Sequence, residues 1–238
     1  MASLINSLRN ISSDSFWAPK LAFLSFFIYI ILDNKEQVSQ VGSAIPLLSL
    51  FIIIVFMGCA SVMMNRNINN KTPLLPGLFS FPEVFVKSIG CTISMIPGTV
   101  IYVFCISYIQ KYLIFETFVM IVIYSCVTLF FLPFICIPAV LYSVNGKLKD
   151  AFRFDIIFAG SGNFVVQVLS YIIQYFFIIF LFAYLLYKLF VSMLGEESVF
   201  IPIVYSITIV VSFLSFFSFC ADLYEDVIPP IKSKRDIF

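Results

Sequence analysis

Four stretches of this chain contain no Asp, Glu, Lys or Arg: 88–110, 117–146, 156–187 and 198–221. Runs of that length fit lipid better than water, because a helix crossing a bilayer takes about 20 consecutive apolar residues. Two shorter apolar runs precede them, at 17–32 and 44–64. Inside hydrocarbon each backbone N–H and C=O must find its partner within the structure, and a helix does this segment by segment. The fold class expected is therefore all-α: one integral membrane helical bundle over residues 1–238, with six transmembrane helices at about 17–32, 44–64, 88–109, 115–142, 164–190 and 199–221. Composition agrees. The chain is 61% hydrophobic and 11% charged, where a soluble domain is about 25% charged, and its mean hydropathy is +1.07.

The stretch Phe130–Asn163 shows the plan in miniature. An apolar run with Pro133 and Pro138 leaves the membrane through Asn145-Gly146 and passes a short basic segment. It then returns to apolar sequence through Gly160, Gly162 and Asn163. Lys147–Phe158 reads as one amphipathic interfacial helix, with Lys147, Asp150 and Arg153 on one row and Leu148, Ala151, Phe154 and Phe158 on another. The N-terminal segment has the same character, since Leu4, Ile5, Leu8 and Ile11 recur at helical spacing, which predicts a helix lying on the membrane. A cleaved signal ending at Val41-Gly42-Ser43 is the less favoured alternative, because the charged segment Asp33–Glu36 directly follows the apolar run. Ser80-Phe81-Pro82-Glu83 has the form of a capping box that starts a helix near Phe81. Pro97-Gly98, Pro133, Pro138 and the glycines Gly160 and Gly162 are the candidate hinges.

The fourteen basic residues fix an expected orientation. With the N-terminus cytoplasmic, eleven of them fall in cytoplasmic segments and only Lys35, Lys111 and Lys188 fall outside. The loops are short enough for the positive-inside rule to apply. It gives a multi-pass protein of a plasma membrane or bacterial inner membrane with both termini in the cytoplasm. The order of amphipathic segment, span, outer loop and span recurs from near residues 1, 80 and 147. That recurrence suggests three parallel helical hairpins, although any six-span chain obeying the charge rule looks similar.

The chemistry available is sparse. The chain has no histidine, the commonest general base and a frequent metal ligand. Its six cysteines form no C-x-x-C pair and lie almost entirely within apolar runs, where they read as small buried hydrophobes. No cofactor, metal or catalytic residue is expected. A net charge of +1 gives no pull toward nucleic acid. The expected partners are membrane lipids, whose anionic headgroups suit the inner basic residues, and another membrane protein. Within the spans the polar candidates are Asn163, Gln167, Ser170, Tyr171 and Gln174, which share one side of a helix. Such a stripe either lines a path for a solute or forms hydrogen bonds between helices. Glu83 reads as a cap, and Asp222, Glu225 and Asp226 as acids that pair with the basic tail or hold a divalent cation.

Ser13-x-Ser15-x-Trp17-x-x-Lys20 before the first span resembles the opening of a prokaryotic membrane family, the domain-of-unknown-function family numbered 4013. Gly58, Arg66, Pro76, Phe81, Phe85 and Pro97 follow in similar order. Leu132-Pro133 through Gly146-x-Leu148-x-x-Ala151-Phe152-x-Phe154, with Asn163 beyond, is similar to that family's second part. The resemblance implies a helical membrane domain and carries no activity with it. Two function classes fit the residues: a non-enzymatic scaffold or accessory subunit, and a permease or channel for a neutral solute or lipid.

Overall fold

The computed structural model describes residues 3–14, 16–33, 45–71, 73–77, 80–112, 117–195 and 200–224. Among these residues the regular structure is entirely helical. In chain order the elements are α1 (Leu4–Ser12), α2 (Trp17–Asp33), α3 (Ile45–Ile68), α4 (Phe81–Tyr112), α5 (Thr117–Asn145), the short α6 (Leu148–Ala151), α7 (Phe154–Tyr175), a π turn (Phe176–Phe180), α8 (Leu181–Leu194) and α9 (Phe200–Asp222). Among the described residues five helices are long and apolar enough to cross a membrane, with α7 to α8 continuous as one of them. The sixth crossing rests on α2, whose 17 residues fall just short of the usual length. It counts only together with α1, which meets it at 105°. The protein is a multi-pass helical bundle.

Helix α9 is the hub and packs against α1, α2, α3, α5 and α8, while α4 lies against α3 and α5. The pairing expected of separate hairpins is seen in α4–α5, but α2 lies chiefly on α9 and only lightly on α3. Burial is concentrated at one end. In α5 it runs from Pro133 to Ser143, and in α9 it is densest from Leu214 to Ala221. The loop residues Leu74 and Leu75 join the same core. At the other end the helices present their side chains outward, as Val100, Phe104 and Tyr108 of α4 and Phe118 and Ile121 of α5 show.

Three glycines set the closest helix approaches. A Cβ on Gly58 of α3 would run into the Val84 backbone of α4; one on Gly90 of α4 would meet the Tyr142 ring of α5; one on Gly98 would strike the Phe134 carbonyl. Small residues at membrane helix contacts let backbones come together where lipid gives no hydrophobic push. Gly98 thus serves packing, and α4 continues without a break through Pro97-Gly98, as α5 does through Pro133 and Pro138. α7 likewise passes Gly160 and Gly162 as continuous helix. Gly146 ends α5 at a φ of +66 and returns its N–H to the Tyr142 carbonyl at 2.7 Å, the left-handed C-terminal cap that glycine favours.

One expectation of the fold needs correction. The segment Lys147–Phe158 is two pieces, because the chain turns at Phe152–Arg153. One piece buries Ala151 completely and the next buries Ile156 and Ile157, two directions that a single helix does not offer. α1 is amphipathic as expected: Leu4, Ser7 and Ile11 are buried, and that face packs on α9, α2 and α7. Of its other two expected apolar residues, Leu8 is half-buried and Ile5 is 62% exposed.

The glycine contacts make a direct prediction. Gly90→Leu should lower the thermal unfolding midpoint in detergent by several degrees, because overpacking costs about 1–3 kcal/mol. Gly162, which faces open space, should accept alanine with no loss or a slight gain, as expected from helix propensity.

Candidate functional site

The packed end is built from charged and amide side chains that grip backbone. In the turn between α1 and α2, Asp14 is fully buried, and its Oδ1 lies 2.6 Å from Lys20 Nζ of α2. Its Oδ2 accepts the Leu75 N–H, while Lys20 also donates to the Leu75 carbonyl at 3.1 Å. Arg66, in the last turn of α3, donates to the carbonyls of Pro73 and Leu75 at 3.0 and 3.1 Å. Its other nitrogen reaches Glu83 of α4 at 3.3 Å. One loop residue, Leu75, thereby ties the ends of three helices. A buried ion pair holds only when its remaining hydrogen-bonding capacity is met, and here the Leu75 peptide meets much of it.

A second cluster joins α3 to α5 and α9. Asn65 Nδ2 donates to the Ser143 carbonyl at 2.7 Å and to that of Val144 at 3.3 Å. These are two of the carbonyls that the end of α5 leaves without intrahelical partners. The Ser61 and Ser143 hydroxyls meet at 2.9 Å. Asn67 donates to Asp222 at 2.7 Å, and Asn10 approaches the same oxygen at 3.5 Å. Asp222 therefore belongs to a junction of α1, α3 and α9. Glu225 and Asp226, the other acids of the expected cluster, lie outside the described residues, as does the basic tail.

The capping box does not form. Helix α4 begins at Phe81 as expected, but the Ser80 hydroxyl donates to the Gly77 carbonyl at 2.6 Å. Glu83 turns to Arg66 rather than back to the Ser80 amide. The sequence motif contains no hint of Arg66, 17 residues earlier, and the Ser80 N–H that Glu83 would have met is already bonded to the Gly77 carbonyl at 3.0 Å.

The polar stripe of α7 divides by direction. Tyr171 is buried and shares a 2.8 Å hydrogen bond with Ser215 of α9. One turn on, Tyr175 does the same with Ser212. Gln174 Oε1 accepts the backbone N–H of Leu4 at 3.0 Å, and its Nε2 donates to Ser170 at 3.3 Å. The first N–H groups of a helix have no internal partner. Gln174 thus caps α1 from a distance of 170 residues, beside the local cap in which Ser3 accepts from Asn6. Gln167 is half-buried and Asn163 is exposed. The structure therefore joins Ser170, Tyr171 and Gln174 to neighbouring groups and leaves Asn163 facing outward.

An apolar groove of about 350 Å³ opens between α4, α5 and the start of α7. Ser94, Gly98 and Ile101 line it from α4, and Phe134 and Pro138 from α5. Phe152, Phe154 and Phe158 form its remaining wall, with the Phe158 ring edge-on to Phe134 at 5.3 Å. Just beside it, Arg153 pairs with Asp155 at 2.9 Å. That hydrogen bond pushes the Arg153 guanidinium above its ordinary value, and arginine is charged at any working pH in any case.

No protein-family model, curated protein or solved structure matches this chain.

Asp14 was absent from the residues the sequence singled out. The available signal was its spacing, six residues before Lys20 at the junction of two helical patterns. Removing one member should destabilise strongly: Asp14→Asn or Lys20→Met is expected to cost about 3–5 kcal/mol, since each strands a buried charge. The double variant should recover a good part of that loss. Chemical or thermal unfolding of the four proteins in one detergent measures the cycle.

Proposed function

We propose that this protein is a non-enzymatic membrane scaffold or accessory subunit. Its spans sit in a plasma membrane or bacterial inner membrane, with the packed basic end and both termini in the cytoplasm. The observation that carries this reading is the use of the polar side chains within the apolar run of α7. Tyr171, Tyr175 and Gln174 each hold a neighbouring helix, which is what a rigid support needs and leaves less for a moving solute. The eleven-to-three split of basic residues supports the orientation. The absence of histidine and of carboxylates in the long apolar runs supports a non-enzymatic, non-proton-coupled role. Kinship with the domain-of-unknown-function family numbered 4013 is part of the proposal. Among the residues that carry the resemblance, Lys20 and Arg66 meet on the Leu75 carbonyl.

Two measurements test it. Gently extracted protein should carry a second membrane protein in fixed stoichiometry by native mass spectrometry. Gln167→Leu should retain that partner. Gln174→Leu should retain it with a stability loss of about 1 kcal/mol, the usual net value of one hydrogen bond. Proteoliposomes that pass a neutral solute, and lose that flux on Gln167→Leu, would overturn the scaffold reading in favour of a permease.

A further inference from the structure

We propose that the groove between α4, α5 and the start of α7 is a binding site for one acyl chain of an anionic glycerophospholipid, whose headgroup rests on the cations at the groove's α6 end. The proposal holds whether the protein is a scaffold or a permease.

The groove has a definite length and direction. Along α4 it runs from Ser94 to Ile101 and along α5 from Pro138 to Phe130, about 10 Å at 1.5 Å per residue. Its walls are fixed at the α6 end: Ser94, Pro138 and Ile157 are buried. Toward the other end the lining residues Ile101 and Phe130 are 54% and 63% exposed. Those two helices cannot close over the groove, because Gly98 already brings α4 against the Phe134 backbone. A concave apolar slot inside hydrocarbon takes a chain of matching chemistry.

The chain alone gives no selectivity, since a lipid tail leaves one apolar medium for another. The charges supply it. α6 follows directly from the end of α5 and packs on both α4 and α5. It brings Lys147 and Lys149, both exposed, to the end where Phe152 and Phe154 enter the groove wall. Arg153 lies between those two rings in sequence. Lys87 stands three residues before Gly90, which Tyr142 of α5 covers, so it lies at the same end of α4. The carboxylates near them are Asp150, Asp155 and, one turn before Lys87, Glu83; Asp155 pairs with Arg153 and Glu83 with Arg66. Five cations, with Arg66 counted, against three carboxylates leave an excess positive charge beside an apolar slot. That is the complement of a phosphate headgroup with an attached tail.

Native mass spectrometry with added lipid tests this on the full chain in detergent. Phosphatidylglycerol and phosphatidylcholine with identical acyl chains are offered in equal amounts. The wild-type protein should retain one phosphatidylglycerol, at least five-fold in preference to phosphatidylcholine. The triple variant Lys147→Gln, Lys149→Gln, Arg153→Gln should lose that preference. Ile101→Trp, which fills the groove, should lose the retained lipid, whereas Lys111→Gln and Lys188→Gln at the opposite end should change nothing. Equal retention of the two lipids by the wild type would overturn the proposal without recourse to any variant. So would retention that survives Ile101→Trp in protein of unchanged helicity, or a co-purified protein crosslinked to Ile101 in place of lipid.

Discussion

A helix in a bilayer gains little by hiding leucine, because the lipid it leaves is as apolar as the helix it meets. Cohesion must come from close backbone approach, from hydrogen bonds and from loops that cross between helices. This chain concentrates all three at one end. The glycine contacts at Gly58 and Gly90, the Asp14–Lys20 pair and the Asn65 and Asn67 bonds lie toward the end that carries residues 65–80 and 146–153, and Gly98 adds a contact midway along α4. The opposite ends of α4, α5 and α8 have no comparable set among the described residues, and their side chains face outward.

The loop between α3 and α4 illustrates how a connection becomes part of a core. Leu75 is 1% exposed, yet its peptide carries polar groups that burial would leave costly. Asp14, Lys20 and Arg66 answer them, two as cations on one carbonyl and one as a carboxylate on the N–H. The apolar side chain and the polar peptide of one residue are thus satisfied by different parts of the bundle. The same logic holds at α1, whose leading N–H is met by Gln174 rather than by water.

The helices were legible because long apolar runs leave little freedom: each of the six runs is helical to within a few residues, apart from the earlier start of α4 and the longer course of α7 through α8, and five of them are long enough to cross a membrane without help. What was not legible was partnership. Lys20 and Arg66 read as topology signals because a single sequence gives their charge and not their neighbours. Ser80 and Glu83 matched a local motif that a distant arginine overrode. The stripe from Asn163 to Gln174 was visible as a periodicity. Its division among α1, α9 and the outside depends on which helices surround α7, and that order is not local information.

The π turn shows how the end of the stripe is tied to the packing of the long helix. The residues of α7 and α8 that meet neighbouring structure recur at intervals near four: Tyr171, Tyr175, Ile179 and Tyr187, the last with its ring 6.0 Å from Tyr205 of α9. An α-helix has 3.6 residues per turn, so sixteen residues from Tyr171 to Tyr187 would rotate the contact line by about 160°. The π turn at Phe176–Phe180 inserts one residue and takes back about 100° of that. The remainder fits within the width of an ordinary apolar stripe. The contacts beyond it are made by aromatic rings, as in Phe190 stacked on Phe200 at 5.7 Å. Polar bonding gives way to ring packing along the helix as α9 runs from its packed end to its open one.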